Sequence, residues 1–519
     1  MRTEVIKQLK SDLKKSFLSG LIKELTKKFP KSEIYLVGGA VRDLLLGRQT
    51  KDFDFVIRNV SADDLEKFLS KLGQVNLVGK SFGVFKFVPT RGDPRNPIDI
   101  ALPRREHAFG TGGYRDFEIQ SDPCLPIEKD LERRDFTINA IALRITNLNE
   151  LRIVDPFGGQ KDLDKKIIRA VGKSEERFKE DYSRMLRAIR FACQFNFQIE
   201  EKTWQAIKKS IIHLNDVQRN VKLVGEVVFA EPEILENRTV PYEVIAKEFL
   251  KAFYSQPIRA FDLYDQSGAF KEIMPEILKM KNCPQPKNWH SEGDVWAHTR
   301  LCLKYLLSKE FKNEFGNEPA GIELILGVLF HDAGKPYTIK TPEKDKTDRI
   351  RFNDHDEVGA RLTQEICLRL KFSSPQEISI DPERVARLVC SHMIFMHGNP
   401  DEMKPGTIEK YFFNPKYSGQ DLMKLAFVDA LATVPAKGKP DLNNYYQMKK
   451  RIESLKAMSQ NKKELPKPIL SGHQIMKELK LRPGKRVGQI LAALREKQLS
   501  GQIKNKDQAL RFLKKIYSK

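Results

Sequence analysis

The chain has 519 residues, too many for one hydrophobic core, and its length suggests three or four domains. Its 91 Lys and Arg outnumber 69 Asp and Glu, and the resulting +22 favours a polyanionic partner: RNA, DNA or an acidic membrane surface. No stretch approaches 18 consecutive apolar residues, and the six cysteines are too far apart for a zinc knuckle or a disulfide framework, so a membrane span and an oxidised secreted scaffold are both excluded.

Residues 1–30 read as a basic amphipathic helix, with Leu9, Leu13, Phe17, Leu21 and Leu25 four apart and Pro30 as its stop. Its alternating charges lack the apolar core of a signal peptide, which predicts a cytoplasmic protein. Residues 34–37 then form a short apolar strand, and Ala40–Leu46 carries helix formers at helical spacing. Gly38 and Gly39 therefore sit at a strand-to-helix turn, where bare backbone N–H groups attract a phosphate. Asp52 and Asp54 follow in an apolar strand, Asp-Phe-Asp-Phe-Val-Ile. One residue apart, they share a face and can converge on Mg²⁺. Asp99, in the strand-like run Pro97–Leu102, offers a third carboxylate.

Downstream, Arg133, Arg134 and Asp135 are predicted to open a helix with Phe136, Ile138, Ile141 and Ala142 on its apolar face. An arginine there can grip a triphosphate bidentately, with Asp135 holding a ribose or fixing an arginine. After Asp155 the pattern is helical almost throughout. Asp181, Arg184 and Arg187 recur every three residues and are predicted to share one side of a helix, opposite Met185, Leu186, Ile189 and Phe191. A carboxylate beside a guanidinium can accept from the exocyclic amine of cytosine or adenine and donate to the adjacent ring nitrogen, a pattern that uracil and guanine reverse.

Taken in order, LVGGAVRDLLLG, KDFDFVI, DIALPRRE, DLERRDFTINAIAL, VDPFGGQKDL and EDYSRMLRAIRFA resemble the class II tRNA nucleotidyltransferase and poly(A) polymerase family, continuously over about residues 34–197. The resemblance implies that Asp52 and Asp54 hold catalytic Mg²⁺. It implies that Gly39, Arg42 and Arg134 bind the incoming nucleotide, and that Asp181, Arg184, Arg187 and Arg190 line its pocket. The glycine-rich segment Pro103–Asp122 is similar to the family's flexible loop for nucleotide choice, and Ile199–Leu278 to its RNA-binding body.

Six of nine histidines, His290, His298, His331, His355, His392 and His397, fall between residues 290 and 397. His331-Asp332 closes the apolar helix Ile322–Phe330, with Gly334 and Pro336 as its stop. Neutral imidazoles with a carboxylate suit a divalent transition metal that keeps positions open for water and phosphate. With Asp429 in Phe-Val-Asp-Ala-Leu-Ala, the ordered set resembles the HD phosphohydrolase superfamily. That resemblance implies His298, His331, Asp332 and Asp429 as metal ligands, and His355 and His392 as partners of a second ion or of the phosphate. From Asp441 onward, 20 Lys and Arg against 6 Asp and Glu give a net +14, with Lys485 and Arg486 at a helix start after Pro483-Gly484.

The expected architecture is an α+β nucleotidyltransferase head with a mixed sheet, followed by a mostly α-helical remainder. Its parts are an N-terminal helix (1–30), head (31–150), neck (151–220), body (221–285), HD domain (286–440) and basic tail (441–519). The expected activity is untemplated addition of CMP and AMP, from CTP and ATP, to the 3′ end of tRNA, with a metal-dependent phosphohydrolase in the HD domain. Alternatives are a poly(A) polymerase, a CC-adding or A-adding enzyme, and an HD-type RNA-end phosphohydrolase whose head only binds RNA.

Overall fold

The computed structural model describes residues 17–50, 53–77, 83–90, 97–113, 116–147, 150–224, 231–395, 400–457 and 465–517. Asp52, His397 and the first half of the basic N-terminal helix lie outside them. Two compact units divide the chain between Ile273 and Met274.

The N-terminal unit opens with α1 (Phe17–Lys28), whose Leu21 and Leu25 are buried, and is built on one seven-stranded mixed sheet. Its strands are β1 (Glu33–Val37), β2 (Asp54–Arg58), β3 (Gly73–Leu77), β4 (Val84–Pro89), β5 (Ile98–Ala101), β8 (Ala142–Asn147) and β9 (Glu150–Val154), in the order β3-β4-β5-β2-β1-β8-β9. Within this sheet, among the described residues, only β2 and β5 run parallel. In β1, Tyr35 and Val37 point to one face, where they pack with Val56 and Ala142 of the neighbouring strands and with Ile127, Leu131, Ala140 and Val171 in one core. Ile127 and Leu131 belong to the helix Ile127–Glu132, which covers this face of the sheet. As register partner of Val37, Asp54 lies on that same face at the strand's end.

Gly38 adopts φ 70° and ψ −135°, a conformation that side chains resist, and the helix Gly39–Leu45 begins directly after it. The strand–turn–helix expected from the sequence is therefore present.

Two elements differ from expectation. The helix predicted to open at Arg133 has already ended at Glu132; Phe136 bridges Ala170, and a short 3-10 turn, Thr137–Asn139, leads into β8. Thr137 N–H bonds Arg169 O, and Asp135 O accepts from Val171 N–H, so the backbone here pairs with a distant segment instead of with itself. Second, the helical body contains an antiparallel ribbon, Val217–Val224 with Glu231–Arg238. The β-branched residues Val217, Val221 and Val224 favour the extended form.

The segment expected to be a flexible loop forms a hairpin, β6 (Arg104–Ala108) with β7 (Phe117–Ser121). The rest of the unit is mostly helical, with a short parallel strand pair, Ile167–Ile168 with Gln198–Ile199, and the segment expected to select the base folds as the helix Ser183–Phe195.

The C-terminal unit is almost wholly helical. Five helices, Val295–Tyr305, Ile322–Phe330, His355–Arg369, Pro382–Ser391 and Gly419–Ala432, hold the histidine-rich region. The tail packs the helices Gly472–Leu479, Lys485–Leu499 and Lys506–Tyr517 around Leu470, Ile475, Val487, Ile490, Leu494 and Leu513. Among the described residues, no helix is long and apolar enough to cross a membrane.

Candidate active sites

In the head, parallel pairing puts Asp54 directly opposite Asp99, so both carboxylates rise from the same face of adjacent strands. The Asp99 Oδ1 atom is buried without a hydrogen bond. A buried carboxylate oxygen with no donor is costly unless a cation completes it, so this pair fits Mg²⁺. The turn stands beside it. A Cβ built on Gly38 would lie 2.8 Å from Arg134 Nη1 and 3.8 Å from Asp54 Oδ2, which leaves glycine as the residue that fits.

Arg134 is held by Asp130, at 3.4 Å from Nη2 to Oδ2, and its Nε is buried with no hydrogen-bond partner. Asp130 is fully buried. Burial alone would raise its pKa, but Arg133 and Arg134 hold it below the usual carboxylate range. Arg133 also bonds Glu106 Oε1 at 2.6 Å, which ties the β6–β7 hairpin to this turn. Gly39 opens its helix as expected. The Arg42 guanidinium lies beside the turn, with Nη2 3.4 Å from the place of a Cβ on Gly39; its donors go to Asn139 Oδ1 at 2.7 Å and to both Asp43 oxygens at 2.9 Å, and it stacks over the Phe195 ring.

The pocket helix is buried on nearly every side, which sequence periodicity alone missed. A guanidinium inside such packing needs a partner. Arg184 pairs with Glu180 at 2.6 Å and donates to Arg177 O and Arg133 O. Arg190 pairs with Glu248 at 2.5 Å and bonds Gln194 at 3.0 Å. Arg187 grips Asp135 Oδ2 through Nε and Nη2. Of the two roles foreseen for Asp135, fixing an arginine is the one this geometry displays.

Asp181 precedes the helix in extended conformation instead of sharing its side, because the preceding helix, Ser174–Glu180, ends there. Its carboxylate still faces Arg184, with Oδ2 3.9 Å from Nε, and its carbonyl accepts from Arg184 N–H, while Oδ1 accepts from Ser183 N–H. Burial raises the Asp181 pKa against the pull of Ser183 and Arg184. Next to it, Tyr182 N–H bonds Gly112 O at 3.0 Å, and the Tyr182 ring stacks on His213. The hairpin tip thus docks beside the residues foreseen to read the base.

The second cluster, in the C-terminal unit, is tighter. His298 Nε2 lies 3.0 Å from Asp429 Oδ1, and His331 Nε2 lies 3.3 Å from Asp332 Oδ2 and 3.9 Å from Asp429 Oδ1. On the other oxygen of Asp332, His355 Nε2 and His392 Nε2 stand at 3.6 and 3.8 Å, and 3.2 Å from each other. All four imidazoles are tethered through Nδ1: His331 to Val328 O, His355 to Phe352 O, His392 to Val389 O and His298 to Glu292 Oε1. With Nδ1 so occupied, the Nε2 atoms converge inward, an arrangement suited to metal ligation.

His331 Nε2 is buried with no hydrogen bond, so the donor set fits a metal. Burial, then the neighbouring His331 and His355, pushes the His392 pKa down to about 4, and burial also lowers that of His355; both rings stay neutral, as a ligand requires. Asp332 lies between the two groups, one oxygen toward each. Lys335 Nζ pairs ionically with Asp332 Oδ2 at 2.7 Å and donates to Gln285 Oε1 at 2.9 Å.

Three family models match the chain: a poly(A) polymerase head domain over residues 34–169, an HD domain over 295–429, and a tRNA nucleotidyltransferase domain 2 over 420–513. A multifunctional CCA protein of Nitrosococcus oceani is 33% identical, over 73% of this chain and 78% of its own. The chain belongs to the tRNA nucleotidyltransferase family. An A-adding tRNA nucleotidyltransferase of Deinococcus radiodurans is 30% identical over 92% of this chain and 94% of its own. The fold is like that of the Bacillus stearothermophilus CCA-adding enzyme solved with CTP, at TM-score 0.58 and 19% identity over 96% of both chains.

This tRNA nucleotidyltransferase is therefore an enzyme with a nucleotidyl-transferring head and an HD domain. Four residues around its sites escaped the sequence reading: Glu248, Glu292, Gln285 and Lys335. Glu292 carried a local signal, the spacing His290-Ser-Glu292 six residues ahead of His298. Burial pushes its pKa up, but hydrogen bonds from His290 and His298 bring it down to about 2, so it stays an anion behind the ligand. Cys302, one helical turn after His298, brings its Sγ to 3.5 Å from His298 Nε2 and joins the same cluster.

Proposed function

We propose that this enzyme adds CMP and AMP, without a template, to the 3′ end of tRNA. The observation that carries the reading is the register of Asp54 with Asp99, beside a glycine turn and Arg134. Asp52, Asp54 and Asp99 are assigned to Mg²⁺. Bound there, Mg²⁺ would lower the pKa of the attacking hydroxyl and neutralise the departing pyrophosphate. Gly38 and Gly39 receive the triphosphate on backbone N–H groups, and Arg134, with Nε buried and unpaired, donates to its oxygens. Asp181 and Arg184 read the amine and ring nitrogen of C or A. Arg187 and Arg190 hold the helix in place through Asp135 and Glu248, and Arg42, beside Gly39 and fixed by Asn139 and Asp43, is assigned to the incoming nucleotide.

The test is incubation of purified protein with tRNA lacking its terminal CCA, and with tRNA ending in CC, in the presence of each labelled NTP. Incorporation of both C and A supports the reading; long tails from ATP alone would replace it with poly(A) synthesis. A second reading, addition of A only, is favoured by the A-adding relative being similar across almost the whole chain. It predicts incorporation from ATP into tRNA ending in CC and none from CTP.

For the HD centre we propose hydrolysis of phosphate esters. His298, His331, Asp332 and Asp429 are assigned to one ion and His355 and His392, with the other oxygen of Asp332, to a second. A divalent transition metal held there would supply an activated water and polarise the phosphate. Lys335 keeps Asp332 ionised and oriented. Loss of metal-dependent phosphate release in His331→Ala, with nucleotide addition intact, is the expected separation.

A further inference from the structure

Residues 279–296 flank the HD centre and carry two of the chain's three tryptophans, Trp289 and Trp296. Trp289 is 59% exposed, yet its backbone is pinned on both sides. Asn288 O accepts from Ala436 N–H, Trp289 N–H bonds Pro286 O, and Ser291 N–H bonds Val434 O at 2.8 Å. An indole held outward on fixed backbone loses little conformational entropy on meeting a ligand. The segment also approaches the metal-ligand set at two points. Gln285 accepts from Lys335, which forms an ion pair with Asp332, and Glu292 joins His290, at 2.6 Å, to His298. Trp289 lies in sequence between these two contacts.

The charge around it is one-sided. Lys279, Lys281 and Lys287 are exposed, with Lys281 Nζ 4.9 Å from the Trp296 ring centroid and Lys279 Nζ 4.3 Å from that of Tyr337. The segment's carboxylates are turned inward: Glu292 accepts from two histidines and Val434 N–H, and Asp294 caps its helix through Ala297 N–H and accepts from Asn282 N–H. An exposed indole in a segment that also exposes three lysines suits a single-stranded polynucleotide, whose bases stack and whose backbone is neutralised.

We propose that this rim binds the 3′-terminal segment of an RNA strand, with Trp289 stacking a base and Lys281 and Lys287 meeting backbone phosphates, so that the HD centre acts on RNA ends in preference to small esters. The inference rests on the phosphohydrolase reading above. For a 2′,3′-cyclic end, water adds across one P–O bond: a new P–O bond forms to the water oxygen, and the released ester oxygen takes a proton as a free hydroxyl.

The experiment compares, in the metal-loaded full chain, a short oligoribonucleotide ending in a 2′,3′-cyclic phosphate with bis(p-nitrophenyl) phosphate, which has no base. Trp289→Ala is expected to lower kcat/KM on the RNA roughly ten- to hundredfold, the range of one lost base–aromatic stack. Turnover of the base-free ester should stay within about twofold, and Trp289→Phe should recover most of the RNA activity. An unchanged RNA rate in Trp289→Ala, or an equal fall on both esters, overturns the proposal. A wild-type chain that hydrolyses neither ester refutes the phosphohydrolase reading. The rim is then judged by fluorescence of Trp289 in the Trp204→Phe/Trp296→Phe chain, where quenching by the oligoribonucleotide sustains it and none sinks it.

Discussion

Arg187 closes both Nε and Nη2 on one oxygen of Asp135, at 2.8 and 2.6 Å, across 52 residues of sequence. Burial would raise the Asp135 pKa, but Arg187, then the Asn139 amide, hold it well below the usual carboxylate range. A carboxylate whose folded pKa is depressed stabilises the fold above its unfolded value, near 3.8, and loses that contribution as pH falls below it. Asp135→Asn should therefore destabilise the head at pH 7 by about 1–3 kcal/mol. That is less than the roughly 3–5 kcal/mol of a fully buried broken pair, because Arg187 keeps about a third of its side chain exposed. The gap between the denaturation midpoints of variant and wild type should shrink as pH drops below about 4; a gap independent of pH would refute the ionised pair.

Removing either strand carboxylate tests the chemistry apart from the fold. Asp54→Ala and Asp99→Asn should each cut nucleotide incorporation by on the order of a thousandfold, the several kcal/mol that a metal's charge stabilisation contributes. The affinity for tRNA should remain near wild type, since neither carboxylate is placed to bind the acceptor. Single-turnover incorporation and filter binding separate the two. Incorporation near the wild-type rate in Asp54→Ala would remove the assignment.

The turn and the strand that begins at Asp54 were legible because each is local: an apolar run and a glycine pair mark them within a short stretch of sequence. Asp99 was legible as a strand residue, but its register with Asp54 depends on β5 adding parallel to β2, which no local pattern states. Arg184 and Arg187 were read as one side of a helix turned toward the base. The partners of Arg187 and Arg190, Asp135 and Glu248, lie 52 and 58 residues away, so the burial that demands them could not be seen. In the HD domain the histidines stood out by density, whereas Lys335 and Gln285, 50 residues apart, become neighbours only through packing.

The hairpin tip makes a sharper test of nucleotide choice. Gly112 sits at φ 75°, and a Cβ there would lie 2.0 Å from the Tyr182 ring, so Gly112→Ala must lift the tip away from Tyr182. The local backbone strain is only about 1–2 kcal/mol, too little to unfold the head. The expected result is altered discrimination between CTP and ATP in single-nucleotide incorporation, reproduced by Tyr182→Ala, at nearly unchanged thermal midpoint. An unaltered CTP-to-ATP ratio in both variants would show that this contact has no part in selection.

The HD centre yields a prediction that needs no turnover. His298 is oriented by Glu292, and Glu292 touches no other residue of the proposed ligand set, so Glu292→Gln should weaken metal binding without removing a ligand. Outer-shell carboxylates of this kind contribute about ten- to a hundredfold in metal affinity. Titration with Co²⁺, followed by its visible absorption, should show that shift for Glu292→Gln and a larger loss for His331→Ala, whose Nε2 is buried without a hydrogen bond. Nucleotide addition by the head should be unaffected in both. Equal Co²⁺ affinity in wild type and Glu292→Gln would mean that His298 is not a ligand, and would leave the tethered imidazoles as a structural cluster.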